Sequence, residues 1–156
     1  LAELPPDPVI ELKLDAYIPN DYVEDAMHKI ELYQQIAAIR TDEQATDLLD
    51  EIIDRFGDPP PALHNLILVA QIKTLARKMG AKSVIQKGEW VEICFTDTPD
   101  VNVTGLMSLR SQAPSRVKIT AGPPQMISVK KATPGGEPFG NWLLAVFRQI
   151  DPAASP

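Results

Sequence analysis

Few residues in this chain could carry out catalysis, and they are scattered. His28 and His64 lie on different predicted helices, and neither has a cysteine at the spacing of a metal site. The single cysteine, Cys94, lies between Ile93 and Phe95, which is typical of a small core residue rather than of a nucleophile. We therefore expect no catalytic residues and no metal site, and an enzyme is the weakest of three functional hypotheses.

Two glycine-containing segments could in principle bind a nucleotide. They are Gly122-Pro123-Pro124 and Gly135-Gly136, and neither fits a phosphate-binding loop or a dinucleotide-binding turn. We interpret both segments as loops. The sequence therefore predicts no cofactor in this chain.

The acidic residues are concentrated in one segment. The formal net charge is −6, and residues 41–58 hold seven acids against one base, Arg55. Outside this segment 14 acidic and 14 basic residues cancel, so it accounts for the whole net charge. A protein with a pI near 4.9 is a poor general ligand for phosphate backbones and is better suited to a basic protein surface.

A basic stretch follows the acidic one. Residues 62–88 contain no acid and five bases, namely Lys73, Arg77, Lys78, Lys82 and Lys87. This Lys73 to Lys87 stripe could bind nucleic acid, which is the second functional hypothesis. It lacks interleaved aromatic residues, so a solvated rim is favoured.

Three charged residues near the end of the acidic segment form a possible contact patch. Glu51, Asp54 and Arg55 are three and four positions apart, so one helix face presents them together. Two interpretations stay open: a solubilising face whose Glu51–Arg55 pair contributes about 0.3–0.5 kcal/mol, or a docking surface for another protein. The apolar residues of this helix fall between the acids: Ala45, Leu48, Leu49, Ile52, Ile53 and Phe56.

Capping residues delimit the helix that carries this patch. Thr41 and Gln44 form a capping box at its start, and Gly57 suits its end. Phe56 and Gly57 are therefore expected to fix the helix end, and with it the direction in which the patch points.

An earlier capping box, Asp21 with Glu24, predicts a first helix over residues 22–39. Its predicted apolar stripe is Val23, Ala26, Met27, Ile30, Tyr33 and Ala37.

The remaining periodicities predict an α+β fold. Alternation over residues 9–17 indicates a first strand, and residues 62–79 form a third helix, so apolar that we expect other elements on more than one side. Strands are predicted at 83–87 and 90–95 around Gly88-Glu89, and again at 116–120 and 126–129. Helices are predicted at 100–112, despite the unfavourable Gly105, and at 139–150. The prediction is three helices after a first strand, then a small mixed or antiparallel sheet with covering helices.

The ends of the chain suggest a piece of a longer protein. Residues 1–8 are rich in proline and predict a linker, residues 9–150 a single domain, and residues 151–156 a frayed tail. No apolar run is long enough to span a membrane, and no signal peptide is visible. With a single cysteine, this favours the cytoplasm.

An ordered set of short motifs resembles a known family. It comprises residues 16–23 (AYIPNDYV), 32–36 (LYQQI) and 51–57 (EIIDRFG) with Pro60, then Asn65-Leu66 leading to Met79-Gly80. Together these motifs resemble the C-terminal domain of the bacterial transcription-repair coupling factor (Mfd) family. The run Asp58-Pro59-Pro60-Pro61 departs from the family pattern and is expected to shift the next helix start by a residue or two.

The resemblance implies a non-catalytic, autoinhibitory domain. In this family the C-terminal domain docks on a UvrB-like N-terminal module and masks its UvrA-binding face, through charged positions matched here by Glu51, Asp54 and Arg55. The parent proteins are ATP-dependent DNA translocases that displace stalled RNA polymerase and recruit nucleotide excision repair. ATP, magnesium, DNA and RNA polymerase are accordingly expected to bind other domains of the parent chain.

Overall fold

The computed structural model describes residues 7–131 and 138–153, and its architecture is α+β, as predicted. The described residues form a five-stranded sheet, five α-helices and a short 3-10 turn. In chain order they are β1 (Val9–Glu11), α1 (Ala26–Ala37), α2 (Asp42–Phe56), α3 (Pro61–Lys78), β2 (Ala81–Lys87), β3 (Trp90–Phe95), α4 (Val103–Gln112), the 3-10 turn (Pro114–Arg116), β4 (Val117–Thr120), β5 (Met126–Lys130) and α5 (Phe139–Gln149). No helix in the described ranges is long and apolar enough to cross a membrane.

Two compact units make up the structure. The helical unit is Leu14–Thr74, and the sheet unit combines Leu1–Lys13 with Leu75–Pro156. The boundary falls inside α3, so this helix contributes to both units. Residues 1–6, in the predicted linker, and 154–156, in the predicted tail, lie outside the described residues, as does the predicted loop at Gly135-Gly136.

The helical unit is built around one apolar cluster. Buried side chains from α1, α2, α3 and the preceding loop meet there: Ile18, Val23, Leu32, Ile36, Ile39, Ala45, Leu48, Ile52, Leu63 and Ile67. Burying an aliphatic side chain of this size contributes about 1.5–3 kcal/mol. This cluster fixes how α1 and α2 pack together, and therefore which of their side chains reach the surface.

The prediction for α1 is wrong at its start and in its buried face. The helix begins at Ala26 rather than at residue 22, because the Tyr22 and Val23 amides donate to the Pro19 carbonyl in a turn. Asp25, not Asp21, caps it by accepting from the Met27 and His28 amides. Leu32 and Ile36 are the buried residues, whereas Met27 is 65% and Ile30 51% exposed. Residues 22–39 contain two apolar stripes, the predicted one with Met27 and Ile30 and a second one with Leu32 and Ile36. Tertiary packing buries the second stripe.

The predictions for α2 and α3 are confirmed. Thr41 caps α2 through a 3.1 Å hydrogen bond from the Gln44 amide, and Gln44 Oε1 accepts from the Arg40 amide at 2.7 Å. Pro61 occupies the first turn of α3, where a missing N–H costs least. Gly80, with φ of 76°, follows the end of α3.

The sheet is mixed, with the order β1-β2-β3-β5-β4. β1 runs parallel to β2, and the other three pairs are antiparallel. The predicted hairpin at Gly88-Glu89 and the second strand pair are confirmed. The first strand is shorter than predicted, since pairing with β2 ends at Glu11, although burial continues to alternate to Ile18.

The last two helices lie close to each other. Asn102 caps α4 by accepting from the Gly105 amide at 3.0 Å, so this helix starts later than the predicted residue 100. A Cβ at Gly105 would overlap the Gln149 carbonyl oxygen, while Gln149 Nε2 donates to the Gly105 carbonyl at 3.1 Å. Gly105 therefore permits a close approach of α4 and α5, which explains why a residue of low helix propensity occupies this position. α5 matches its prediction within one residue.

Candidate functional site

The strongest candidate for a functional surface is the C-terminal part of α2. This amphipathic helix turns Ala45, Leu48 and Ile52 into the core and leaves its acidic residues in solvent. It ends at Phe56, where the Gly57 amide donates to the Ile53 carbonyl at 2.9 Å. Gly57 has φ of 86° and ψ of −167°, a backbone conformation almost confined to glycine. The sequence thus stops α2 at a defined residue.

All three residues of the predicted patch are exposed on α2. Arg55 Nη1 lies 3.9 Å from Glu51 Oε1, and the two side chains are 40% and 52% exposed. Such an exposed pair contributes little to stability, and it leaves the charges available to another surface. Asp54 is also exposed and projects from the side of α2 away from the core. The patch therefore exists as a surface, with two acids and one base within two helical turns.

Phe56 lies behind the patch and is itself held by aromatic contacts. The Arg55 guanidinium carbon lies 5.0 Å from the centroid of the Phe56 ring. Two residues from the start of the helical unit face the same ring, Tyr22 at 5.9 Å and His28 at 6.4 Å between centroids. Phe56 thus connects Arg55 to α1 and to the turn before it.

Tyr22 also fixes the end of α2 directly. Its hydroxyl donates a 2.5 Å hydrogen bond to the Gly57 carbonyl. Partial burial, and secondarily the negative charge of Asp58, raise the pKa of Tyr22 above its ordinary value of 10.0. The phenol therefore stays protonated as the donor at neutral pH. Sequence reasoning did not identify Tyr22 or His28 as part of this surface, because no local pattern connects them to Phe56.

A groove between α1 and α2 adjoins the patch. It encloses about 340 Å³ and is lined by Gln35, Ala38, Ile39, Gln44, Asp47, Leu48 and Glu51. Glu51 therefore belongs both to the patch and to the rim of the groove. Four of the seven lining residues are polar or charged and surround an apolar floor of Ile39 and Leu48, which suits a partner's side chain better than it suits a buried small molecule.

Charge is divided unequally between the two units. Leu14–Thr74 contains 12 acidic and four basic residues, a net charge of −8. The sheet unit contains nine acidic and eleven basic residues, a net charge of +2. A surface on the helical unit is thus embedded in a negative potential, which favours and accelerates association with a basic partner surface.

The other candidate residues are not brought together. His28 contacts the Phe56 ring, whereas His64 is exposed on α3. No group of three or more potential metal ligands occurs within the described ranges. Cys94 lies on β3, with its sulfur 3.8 Å from that of Met126. It is only half-buried, and is therefore more exposed than the core residue that the sequence predicted.

The Lys73 to Lys87 stripe is largely engaged with neighbouring acids. Arg77 pairs with Asp7, Lys78 Nζ lies 3.0 Å from Asp151, and Lys87 Nζ lies 2.9 Å from Glu92. The hydrogen bond and charge of Glu92 raise the pKa of Lys87. The five residues are spread over α3 and β2. These ion pairs reduce the positive charge that the stripe could offer to phosphates.

Comparison with known proteins gives consistent matches. A family model described as the TRCF domain matches residues 12–106 of this chain. A transcription-repair-coupling factor of Staphylococcus epidermidis is 37% identical over 99 residues, which cover 62% of this chain and 8% of that protein. The Bacillus subtilis factor is 33% identical over 96 residues, covering 62% of this chain and 8% of its own length.

A longer alignment and a solved structure extend these matches. The factor of Staphylococcus aureus is 31% identical over 109 residues, which are 70% of this chain and 9% of that protein. The chain thus spans less than one tenth of the length of the curated relatives that it matches. The crystal structure of the C-terminal domain of transcription-repair coupling factor superposes with a TM-score of 0.77 at 24% identity, over 93% of this chain and 91% of that one. That superposition shows a common fold.

Proposed function

This chain belongs to the TRCF domain family, and on that premise we propose that it is a non-catalytic, autoinhibitory domain of a transcription-repair coupling factor. The resemblance predicted from the short sequence motifs is confirmed by the family match and by the related factors. The proposal goes further: the domain docks on a UvrB-like N-terminal module of its parent and masks the UvrA-binding face of that module. The parent is proposed to be a cytoplasmic, ATP-dependent DNA translocase that displaces stalled RNA polymerase.

One observation carries the proposal, namely the exposed patch Glu51, Asp54 and Arg55 at the ordered end of α2. A masking contact has to form in one state and open in another, so it should be specific without being very tight. Charged patches give specificity and salt sensitivity more than affinity. A tether to the same polypeptide raises the effective concentration of the domain, so a weak contact is enough to keep the module covered.

The patch is rigid enough for such recognition. Its helix end is fixed by Gly57 and by the Tyr22 hydroxyl, and Arg55 lies over the Phe56 ring. Because these contacts fix the end of α2 and hold Arg55 in the unbound domain, little backbone ordering is needed on docking. The groove rimmed by Glu51 offers additional polar contacts next to the charges.

The decisive experiment uses the full-length parent protein. Glu51→Lys combined with Asp54→Lys reverses two charges of the patch and is expected to weaken docking, so that UvrA binds more tightly than to the unaltered protein. The matched control, Glu11→Lys with Asp97→Lys, makes the same change in net charge at exposed positions of the sheet unit. Isothermal titration with UvrA measures the UvrA affinity of the patch variant and of the control variant. Circular dichroism of the isolated 156-residue chain checks that each variant stays folded.

The outcomes separate the proposal from its alternatives. Higher UvrA affinity in the patch variant alone supports masking through Glu51 and Asp54. Unchanged affinity in a folded patch variant, or an equal rise in the control, overturns it. Salt-sensitive binding of duplex DNA by the isolated chain, lost when Lys82 and Lys87 are changed to glutamate, would instead support a nucleic-acid role for the basic stripe.

A further inference from the structure

Strand β4 forms a free edge of the sheet. It is the last strand in the order β1-β2-β3-β5-β4, and within the described ranges its only strand partner is β5. Edge strands direct the N–H and C=O groups of alternate residues outward, where another extended chain can pair with them. Lys118, Ile119 and Thr120 are all exposed. This edge belongs to the sheet unit, whereas the patch on α2 belongs to the helical unit.

An apolar groove runs beside this edge. It encloses about 280 Å³ between β4 and the start of α4, and Val103, Leu106, Ile119 and Ile127 are among its lining residues. Val103 is 64% and Ile119 38% exposed, so α4 leaves this end of the sheet's packed face partly uncovered. Ile119 pairs with the buried Ile127 across the ladder and therefore lies on the packed face. A strand added to β4 would place every second side chain over this groove.

The opposite face of β4 carries one charged residue, Lys118. Its cross-strand row continues through Ser128 to Glu92, whose carboxylate pairs with Lys87, so Lys118 is the charge nearest to the edge. Lys118 lies on the face away from Ile119, with its Nζ 4.2 Å from the Trp90 ring centroid. A strand added to β4 would therefore place its remaining side chains next to Lys118.

From these observations we infer that β4 and the adjoining groove bind an extended polypeptide segment in which apolar and acidic residues alternate. The segment adds to the sheet as a strand beside β4, with its apolar residues over Ile119 and Val103 and its acidic residues facing Lys118. Backbone pairing supplies affinity, and the two faces supply specificity. This binding site is independent of the proposed docking of the α2 patch and would remain if that proposal failed.

Two other occupants fit less well. A second copy of the chain would bring two β4 strands together, each with Lys118 and no acid, and like charges facing each other across strands are destabilising. Nucleic acid would find positive charge but no free stacking surface, because Lys118 already lies over the Trp90 ring. The outward backbone groups and the apolar groove match only a polypeptide strand.

The test uses the 156-residue chain and capped synthetic octapeptides at about 0.01 M salt, where charge screening is weakest. One peptide alternates valine with glutamate, a second alternates valine with lysine, and a third is the glutamate peptide N-methylated on alternate residues. Two-dimensional ¹⁵N NMR follows each titration. We expect saturable shifts at Val117–Thr120 and Val103 with the glutamate peptide and slower amide exchange on β4. N-methylation is expected to abolish both.

Variants assign the specificity to the two faces. Lys118→Glu should weaken binding of the glutamate peptide about fivefold and strengthen binding of the lysine peptide, because a cross-strand attraction becomes a repulsion. Val103→Ser should weaken both peptides by removing an exposed apolar contact. The control Lys13→Glu makes the same charge change at an exposed position next to β1, at the opposite edge of the sheet. It should change the binding of neither peptide.

Several results would overturn the inference. They are no saturable binding of the glutamate peptide, equal binding of the N-methylated peptide, or an equal effect of Lys13→Glu and Lys118→Glu. A dimer in sedimentation whose β4 amides are protected without peptide would identify a second copy as the occupant. Preferential binding of a single-stranded oligonucleotide to the same residues would identify a nucleic-acid surface. In the absence of any ligand, Lys118 would simply protect the edge from pairing.

Discussion

The helical unit and the sheet unit present themselves to other molecules in different ways. On the helical unit, whose net charge is −8, the candidate surface consists of charged side chains on one face of α2. On the sheet unit, whose net charge is +2, it consists of backbone groups along β4, with Lys118 on one face and an apolar groove on the other. The first surface is suited to reversible, salt-sensitive contact, and the second to addition of a strand.

The two surfaces are also positioned by different forces. The α2 patch depends on how one helix ends, and hence on a glycine and on a distant tyrosine hydroxyl. The β4 edge depends on the order of strands and on how closely α4 and α5 approach. Substitutions at these positions should therefore affect the two units differently.

The largest effects are expected at two glycines, one in each unit. Gly105→Ala would force a Cβ into the Gln149 carbonyl oxygen, so α4 and α5 must separate, at a cost of about 3 kcal/mol. Gly57→Ala meets no atom within 4 Å, and only its φ of 86° opposes the change, which costs about 1–3 kcal/mol. Urea unfolding of the isolated chain measures both losses.

A D-amino acid distinguishes strain from crowding at Gly57. D-alanine accepts positive φ values, so its introduction at position 57 by semisynthesis should restore most of the stability that L-alanine removes. Equal losses for the two enantiomers would mean that hidden crowding, rather than backbone conformation, requires glycine there. Gly57 would then resemble Gly105, and the contrast between the units would fail.

A smaller effect is expected at Tyr22. Tyr22→Phe removes the donor to the Gly57 carbonyl and should cost about 0.5–1.5 kcal/mol. The control Tyr17→Phe removes the hydroxyl of an exposed tyrosine and should have little effect. NMR of the Tyr22 variant should show shifts at Arg55 and Phe56 but none at β4. Shifts confined to Tyr22 itself would mean that it does not position the patch.

The stability provided by Tyr22 should also depend on pH. Its pKa is raised above 10.0 in the folded domain, mainly by burial, so folding favours the protonated phenol. Its contribution is fully present below pH 10 and is lost as the pH rises through the folded-state pKa. The difference in stability between the unaltered chain and Tyr22→Phe should therefore shrink above pH 10, and a difference that grows there would contradict the assignment.

The smallest expected effect compares two helix caps. Hydrogen bonds from the His28 and Met27 amides lower the pKa of Asp25 below its ordinary value of 3.8, whereas α4 is capped by the uncharged Asn102. The stabilisation from Asp25 is therefore present above pH 3.8 and lost as the pH falls through its folded-state pKa. Exchange of the Met27 and His28 amides should accelerate relative to that of Gly105 below this pH. Asp25→Asn should remove the difference in exchange between the two caps. Equal acceleration at both caps of the unaltered chain would contradict the prediction.

Local patterns in the sequence were sufficient for some elements and misleading for others. α2 was predictable because its cap, its apolar stripe and its final glycine all lie within residues 41–57 and agree with one another. α1 was not, since residues 22–39 contain two apolar stripes, and only packing against the core selects Leu32 and Ile36 over Met27 and Ile30. At Gly105 the low helix propensity was visible, whereas its cause, the Gln149 carbonyl, lies on another helix.

The sequence by itself determined the family, the α+β class, the concentration of acid in residues 41–58 and the spacing of Glu51, Asp54 and Arg55. The family follows from the resemblance of an ordered set of short motifs, and the other properties follow from composition and from periodicities within single elements. The tertiary structure alone decided that Tyr22 and Phe56 meet behind the patch, and that β4 lies at the edge of the sheet above an open groove. Contacts between residues far apart in the chain depend on how elements pack and pair, and no local pattern encodes that choice.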